Sequence, residues 1–174
     1  MSARTRASSS GGVQLYERMI WDILSATDIS PGVVVDTFGL VPVIIPETMT
    51  INTLGCVVDT LGVAPGNLRM GIYRDNGDAP TGGALVVEGG PQALVASKNE
   101  VPIVATQLTQ GLYWIATLTD DALTVFTRTQ NPILQGGTLQ SWEAALAFAA
   151  LPALCPVTAI DRVPIGYVMV ASVP

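Results

Sequence analysis

The chain has 174 residues, 49% of them hydrophobic and 13% charged, with a net charge of −6 and a mean hydropathy of +0.46. That length suits one compact domain with an additional arm, and the acidic balance argues against general nucleic-acid binding. There is no histidine, so neither a Ser-His-Asp nor a Cys-His site can be assembled within the chain, and the commonest metal ligand is missing.

No apolar run approaches the roughly 18 residues of a membrane span; the longest, Ala144 to Cys155, is broken by Pro152. An apolar sequence this poor in charge is expected to hide surface in an oligomer or a larger assembly. Residues 1–12 (MSARTRASSSGG) have the composition of a flexible tail. Arg4 and Arg6 stand there among Ser and Gly, without the apolar stretch of an ordinary secretory signal behind them. The arm is expected to order by docking, either on a partner or on the chain's own domain.

Val13 to Leu24 reads as a short amphipathic helix. Val13, Tyr16, Met19, Ile20, Ile23 and Leu24 share one face at helical spacing; Gln14, Glu17, Arg18 and Asp22 lie opposite, and Trp21 projects from the polar side. A helix this short is marginal alone, so its apolar face needs a docking surface. Ser30-Pro31-Gly32 closes this first segment, 1–32.

The main domain, 33–174, carries strand and turn signals. Val41–Ile45 is a nearly continuous apolar run ending at Pro46. Met49–Asp59 alternates with a slip near Thr53–Gly55, where Gly55 suits a bulge. In Asn67–Arg74, Leu68, Met70 and Ile72 face one way and Asn67, Arg69 and Tyr73 the other. Asp75-Asn76-Gly77-Asp78 is a turn sequence with positive φ favoured at Asn-Gly. Ala84–Glu88 and Val101–Leu108 are further strands. Gly111–Leu118 puts Leu112, Trp114, Ala116 and Leu118 on one apolar face, and Thr119-Asp120-Asp121 is expected to turn it into a hairpin with Ala122–Arg128. Ser141 is placed to cap a short Ala-rich helix over Trp142–Ala150, ended by Pro152. Ile165–Val170 closes the series. About eight short strands without a βαβ rhythm predict an all-β fold, an antiparallel β-sandwich or jelly roll with a short N-terminal helix and arm.

The middle of the chain resembles a β-sandwich domain of tailed-bacteriophage virion proteins, of the tail-fibre, minor-tail or head-fibre type. The residues that carry the resemblance run from Leu68 to Gly77 (LRMGIYRDNG), then Pro80 and Gly82–Val86 (GGALV), then Thr109–Ala116 (TQGLYWIA); Val41–Pro46 with Thr50-Ile51 also fits. The match covers roughly residues 36–130, so the arm lies outside it. It implies a virion surface module assembled in the host cytoplasm, with capsid or tail proteins as partners and a trimer as the oligomer. It supplies no catalytic residue.

Asp75, Asn76 and Asp78 offer oxygens to a cation, but the distal acidic ligands of a calcium loop are missing and a plain turn accounts for them. Glu47, Glu88, Glu100 and Glu143 are the carboxylates available to a glycosidase, and nothing in the sequence pairs them. Tyr113 and Trp142 have faces that suit sugars, although Tyr113, beside Ile115, is better explained by an outward-facing subunit contact; Trp114 is expected in the core. Cys56 and Cys155 read as core thiols, with one bridge as the alternative. The expected partner-binding residues are therefore Arg4, Arg6, Tyr16, Met19, Ile20, Trp21, Ile23 and Leu24. The two guanidinium groups bond carboxylates or carbonyls of a host surface. Apolar burial at about 1.5 kcal/mol per side chain outweighs any exposed ion pair. The same helix face can instead cap an open end of the chain's own sandwich. No cofactor, metal or catalytic residue is expected; a carbohydrate-binding module for a host-surface glycan is the alternative function.

Overall fold

The computed structural model describes residues 27–29, 36–62, 66–77, 79–121, 125–129, 142–157, 161–162 and 169–172. All regular structure among them is β, and every strand pairing is antiparallel. The strands are β1 (Thr27–Ile29), β2 (Thr37–Ile45), β3 (Met49–Thr60), β4 (Asn67–Arg74), β5 (Leu85–Ala93) and β6 (Ser97–Leu108). They continue with β7 (Gly111–Thr119), β8 (Val125–Thr129), β9 (Trp142–Ala145), β10 (Asp161–Arg162) and β11 (Met169–Ser172). One sheet has six strands in the order β10-β9-β2-β7-β4-β5; the other has five, with β3 pairing β6, β8 and β11, and β8 pairing β1.

The apolar runs of β2 and β7 follow from their central place in the six-stranded sheet, where both faces bury side chains. On one face Ile45, Leu68, Met70, Ile72, Tyr113 and Ile115 join Ile51, Leu54, Cys56, Val58, Val101 and Leu108 of the other sheet in one buried cluster. On the opposite face Phe38, Leu40, Tyr73, Trp114, Ala116 and Leu118 form a second cluster with Trp142, Leu151, Cys155 and Val157. Pro42 removes an amide from β2, and β9 pairs β2 only as far as Leu40, so Pro42 falls where that flank has no described strand partner.

Four sequence expectations need correction. Tyr113 does not face outward; it is 2% exposed and lies in the cluster shared by both sheets, because the face of β7 opposite Trp114 is buried too. β7 makes no hairpin with β8. Asp120 accepts from the Asn67 amide and side chain, at 2.5 and 2.9 Å, and Asp121 accepts from the Gly62 amide at 3.0 Å. These bonds tie the corner to the β3–β4 connection, and β8 pairs β3 of the other sheet. β3 shifts register between Ile51 and Thr53 and again between Val58 and Thr60, not at Gly55; the first shift lets Ile51 and Leu54, three residues apart, point into the same cluster. No helix forms over Trp142–Ala150. Trp142–Ala145 pairs β2 as β9, and the amides of Leu146 and Phe148 donate to Asp36 instead of to carbonyls a turn earlier.

Candidate functional site

The loop end of the six-stranded sheet gathers the residues that carried the family resemblance. β4 brings Leu68–Arg74 to this end, and β7 leaves it with Gly111–Ala116; the two are adjacent strands, with Tyr73 opposite Trp114 and Arg74 opposite Tyr113. The turn after β4 is built as its residues dictate. Gly77 takes a φ of 77°, a left-handed value that suits glycine. Asn76 donates its main-chain amide to Ala79 and its side-chain amide to Thr81, each at 2.9 Å. Asp75 accepts the Trp114 indole N–H at 2.8 Å, so the turn carboxylate serves a buried aromatic. Among the described residues no group of His, Cys, Asp and Glu side chains is arranged to hold a metal ion.

The far side of this loop rests on the chain's C-terminal part. The Leu85 amide donates to Ala153, Cys155 to Gly83 and Gly82 to Cys155, each at 2.9 Å, and the Thr81 hydroxyl donates to Val157 at 2.5 Å. Arg74 is exposed at the strand end, its guanidinium 5.9 Å from the Tyr113 ring centre. The Tyr113 hydroxyl in turn accepts the Thr109 amide at 3.2 Å. Ile44 on β2 and Leu154 beside Ala84 are 67% and 59% exposed at this same end. The exposed residues at this end thus include the Arg74 cation, polar turn atoms and, three strands apart, the apolar side chains of Ile44 and Leu154.

The other candidates separate in space. Arg4, Arg6, Tyr16, Met19, Ile20, Trp21, Ile23 and Leu24, the helix they were assigned to, and Asp78 lie outside the described residues. Trp142 is 9% exposed, with its ring 6.0 Å from that of Trp114, and Tyr113 is buried, so neither offers a face to a sugar. Glu88 pairs with Arg69 at 3.4 Å and accepts the Leu151 amide at 2.6 Å; Glu100 pairs with Lys98. Glu88 on β5 and Glu143 on β9 stand four strand steps apart, roughly 19 Å at about 4.8 Å per step, beyond the roughly 5–9.5 Å of a glycosidase pair. Cys56 and Cys155 are free, buried thiols as expected. Burial pushes the Cys56 thiol up to about 12 and raises Cys155 as well.

Sequence reasoning missed Ile44, Arg74 and Leu154. Ile44 sat inside an apolar run that reads as core, and the exposure of Leu154 depends on a segment whose path no periodicity indicated. No helix among the described residues is long and apolar enough to cross a membrane. No protein-family model matches the chain, and neither does any curated protein.

Proposed function

We propose that the chain is a non-enzymatic structural protein of a tailed-bacteriophage particle. In this reading the arm and amphipathic helix of residues 1–32 join it to other virion proteins, through Arg4 and Arg6 and the apolar face of Tyr16, Met19, Ile20, Ile23 and Leu24, with Trp21 beside it. The two sheets form a β-sandwich that associates around a symmetry axis as a trimer, exposed as a tail appendage or as a capsid decoration. The observation that carries the reading is the adjacency of the two resembling segments: Leu68–Arg74 and Gly111–Ala116 are hydrogen-bonded neighbours, and the turn that follows the first stands at one end of the sheet. The exposed Ile44 and Leu154 at that end add apolar surface for a neighbouring chain.

The test uses purified particles and the full chain. The protein is expected in gradient-purified particles at a copy number that is a multiple of three, and a version lacking residues 1–26 is expected to fold, keep β1, and fail to incorporate. Normal incorporation of the truncated chain overturns the anchoring role; a monomer in light scattering overturns the trimer. Micromolar binding of the purified protein to one sugar class on a glycan array replaces the structural reading with the carbohydrate-binding one.

A further inference from the structure

Residues 146–157 cover the outer face of the six-stranded sheet without forming a strand of their own. Polar bonds from the body hold this strap at three places. At its start the Asp36 carbonyl accepts the Leu146 amide at 2.8 Å and the Asp36 carboxylate accepts the Phe148 amide at 3.0 Å. In its middle Glu88 Oε2 accepts the Leu151 amide, and the Tyr73 hydroxyl donates to the Pro152 carbonyl at 2.9 Å. At its end the main chain of Gly82–Leu85 exchanges bonds with Ala153 and Cys155.

Its apolar hold is discontinuous, with Leu146 and Phe148 packed half-buried against the outer-face cluster. Leu151, Cys155 and Val157 are buried, whereas Ala147, Ala149, Ala150, Ala153, Leu154 and Pro156 are exposed. Leu151 seats on the bare backbone of Gly71, where a Cβ would lie 2.5 Å from its Cδ1. The middle fastening is also imperfect. Arg69 reaches Glu88 and the Gly90 carbonyl only at 3.4 Å, its guanidinium lies over the Phe148 ring at 5.7 Å, and its buried Nε has no acceptor. A buried donor without a partner weakens the closed arrangement. Phe38, Leu40, Tyr73, Trp114, Ala116 and Leu118 belong to sheet strands held by ladder bonds that do not involve the strap.

We propose that residues 146–157 form a lid that opens as a unit from the six-stranded sheet while the core between the two sheets stays folded, with Arg69 and Glu88 as its latch. Opening of this kind is drawn from the least buried parts of a fold. It would uncover the Tyr73 and Trp114 face, and the inference stands independently of the virion reading.

The two thiols make the test internal to the protein, since Cys155 lies in the strap and Cys56 in the inter-sheet core. Each is alkylated with iodoacetamide in native buffer and in concentrated urea, and mass spectrometry gives a protection factor for each site. Cys155 is expected to be at least tenfold less protected than Cys56. Glu88→Ala, which leaves the Leu151 amide without its acceptor, is expected to lower Cys155 protection about tenfold further and to leave Cys56 unchanged. Equal protection of the two sites, or a parallel loss at both in Glu88→Ala, overturns the lid. Should Glu88→Ala prove unfolded by circular dichroism, Tyr73→Phe removes the Pro152 bond alone and is read in the same way.

Discussion

The two sheets meet water differently. The central strands of the six-stranded sheet, β2, β7 and β4, bury side chains on both faces, against the second sheet on one side and against β9 and residues 146–157 on the other. In the five-stranded sheet β6 buries Asn99, Val101 and Leu108 on one side and exposes Lys98, Glu100, Pro102, Val104 and Gln107 on the other. Consecutive residues in the middle of the first sheet therefore carry comparable energetic weight, whereas in β6 the weight alternates. The difference also explains the sequence texture, a run such as LYWIA in β7 against the mixed KNEVP of β6.

Substitutions at neighbouring positions are the sharpest way to break this comparison. Trp114→Ala removes a fully buried indole and its bond to Asp75 and is expected to cost about 3–5 kcal/mol; Ile115→Ala, on the other face, is expected to cost about 2–5 kcal/mol. Urea unfolding measures both, and a near-neutral result for either would show that one face of β7 is not packed. In the five-stranded sheet Leu54→Ala is expected to cost about 2–5 kcal/mol, while Val104→Ala, at a residue 78% exposed, should stay within about 0.5 kcal/mol. Asp120→Ala leaves the part-buried Asn67 amide without its acceptor and should cost about 1–3 kcal/mol, read as a lower urea midpoint at unchanged slope.

The thiols predict a pH dependence. The folded chain holds the Cys56 proton more tightly than the unfolded chain, where the ordinary value is 9.0, because burial raises the thiol to about 12. Its contribution to stability is thus complete below pH 9 and is lost as pH rises from 9 towards 12, at no more than about 1.4 kcal/mol per unit. Cys155 shifts in the same direction through burial. Tyr73 does so through burial, then through the nearby Cys155 and Glu88. Cys56→Val is therefore expected to flatten the alkaline fall without abolishing it. The smallest effect is expected from Glu100→Gln, since Glu100 and Lys98 are both substantially exposed; the melting temperature should hardly move.

Much of the strand content was legible because period-2 alternation and turn residues are local signals. Asn67–Arg74, Gly77 and the burial of Trp114 followed directly from them. Pairing was less legible. The Asp120-Asp121 turn looked like a hairpin, but its carboxylates bond to Gly62 and Asn67, more than fifty residues away in sequence. Ala-rich composition suggested a helix over Trp142–Ala150, yet Trp142–Ala145 pair with β2 and the acceptors for the Leu146 and Phe148 amides belong to Asp36, over a hundred residues earlier. The loop end was legible in its motif residues alone; the exposure of Ile44 and Leu154 depends on where β2 and the strap end.

One consequence follows from the placement of the cysteines. Cys56 packs between the sheets and Cys155 on the far side of the six-stranded sheet, whereas a disulfide needs Cα atoms within about 7 Å. A whole layer of polypeptide separates the two sulfurs, so a folded copy has no route to an internal bridge. Oxidative cross-links seen on a non-reducing gel then report on chains that have opened or exchanged parts, and the native protein carries its own alarm for both.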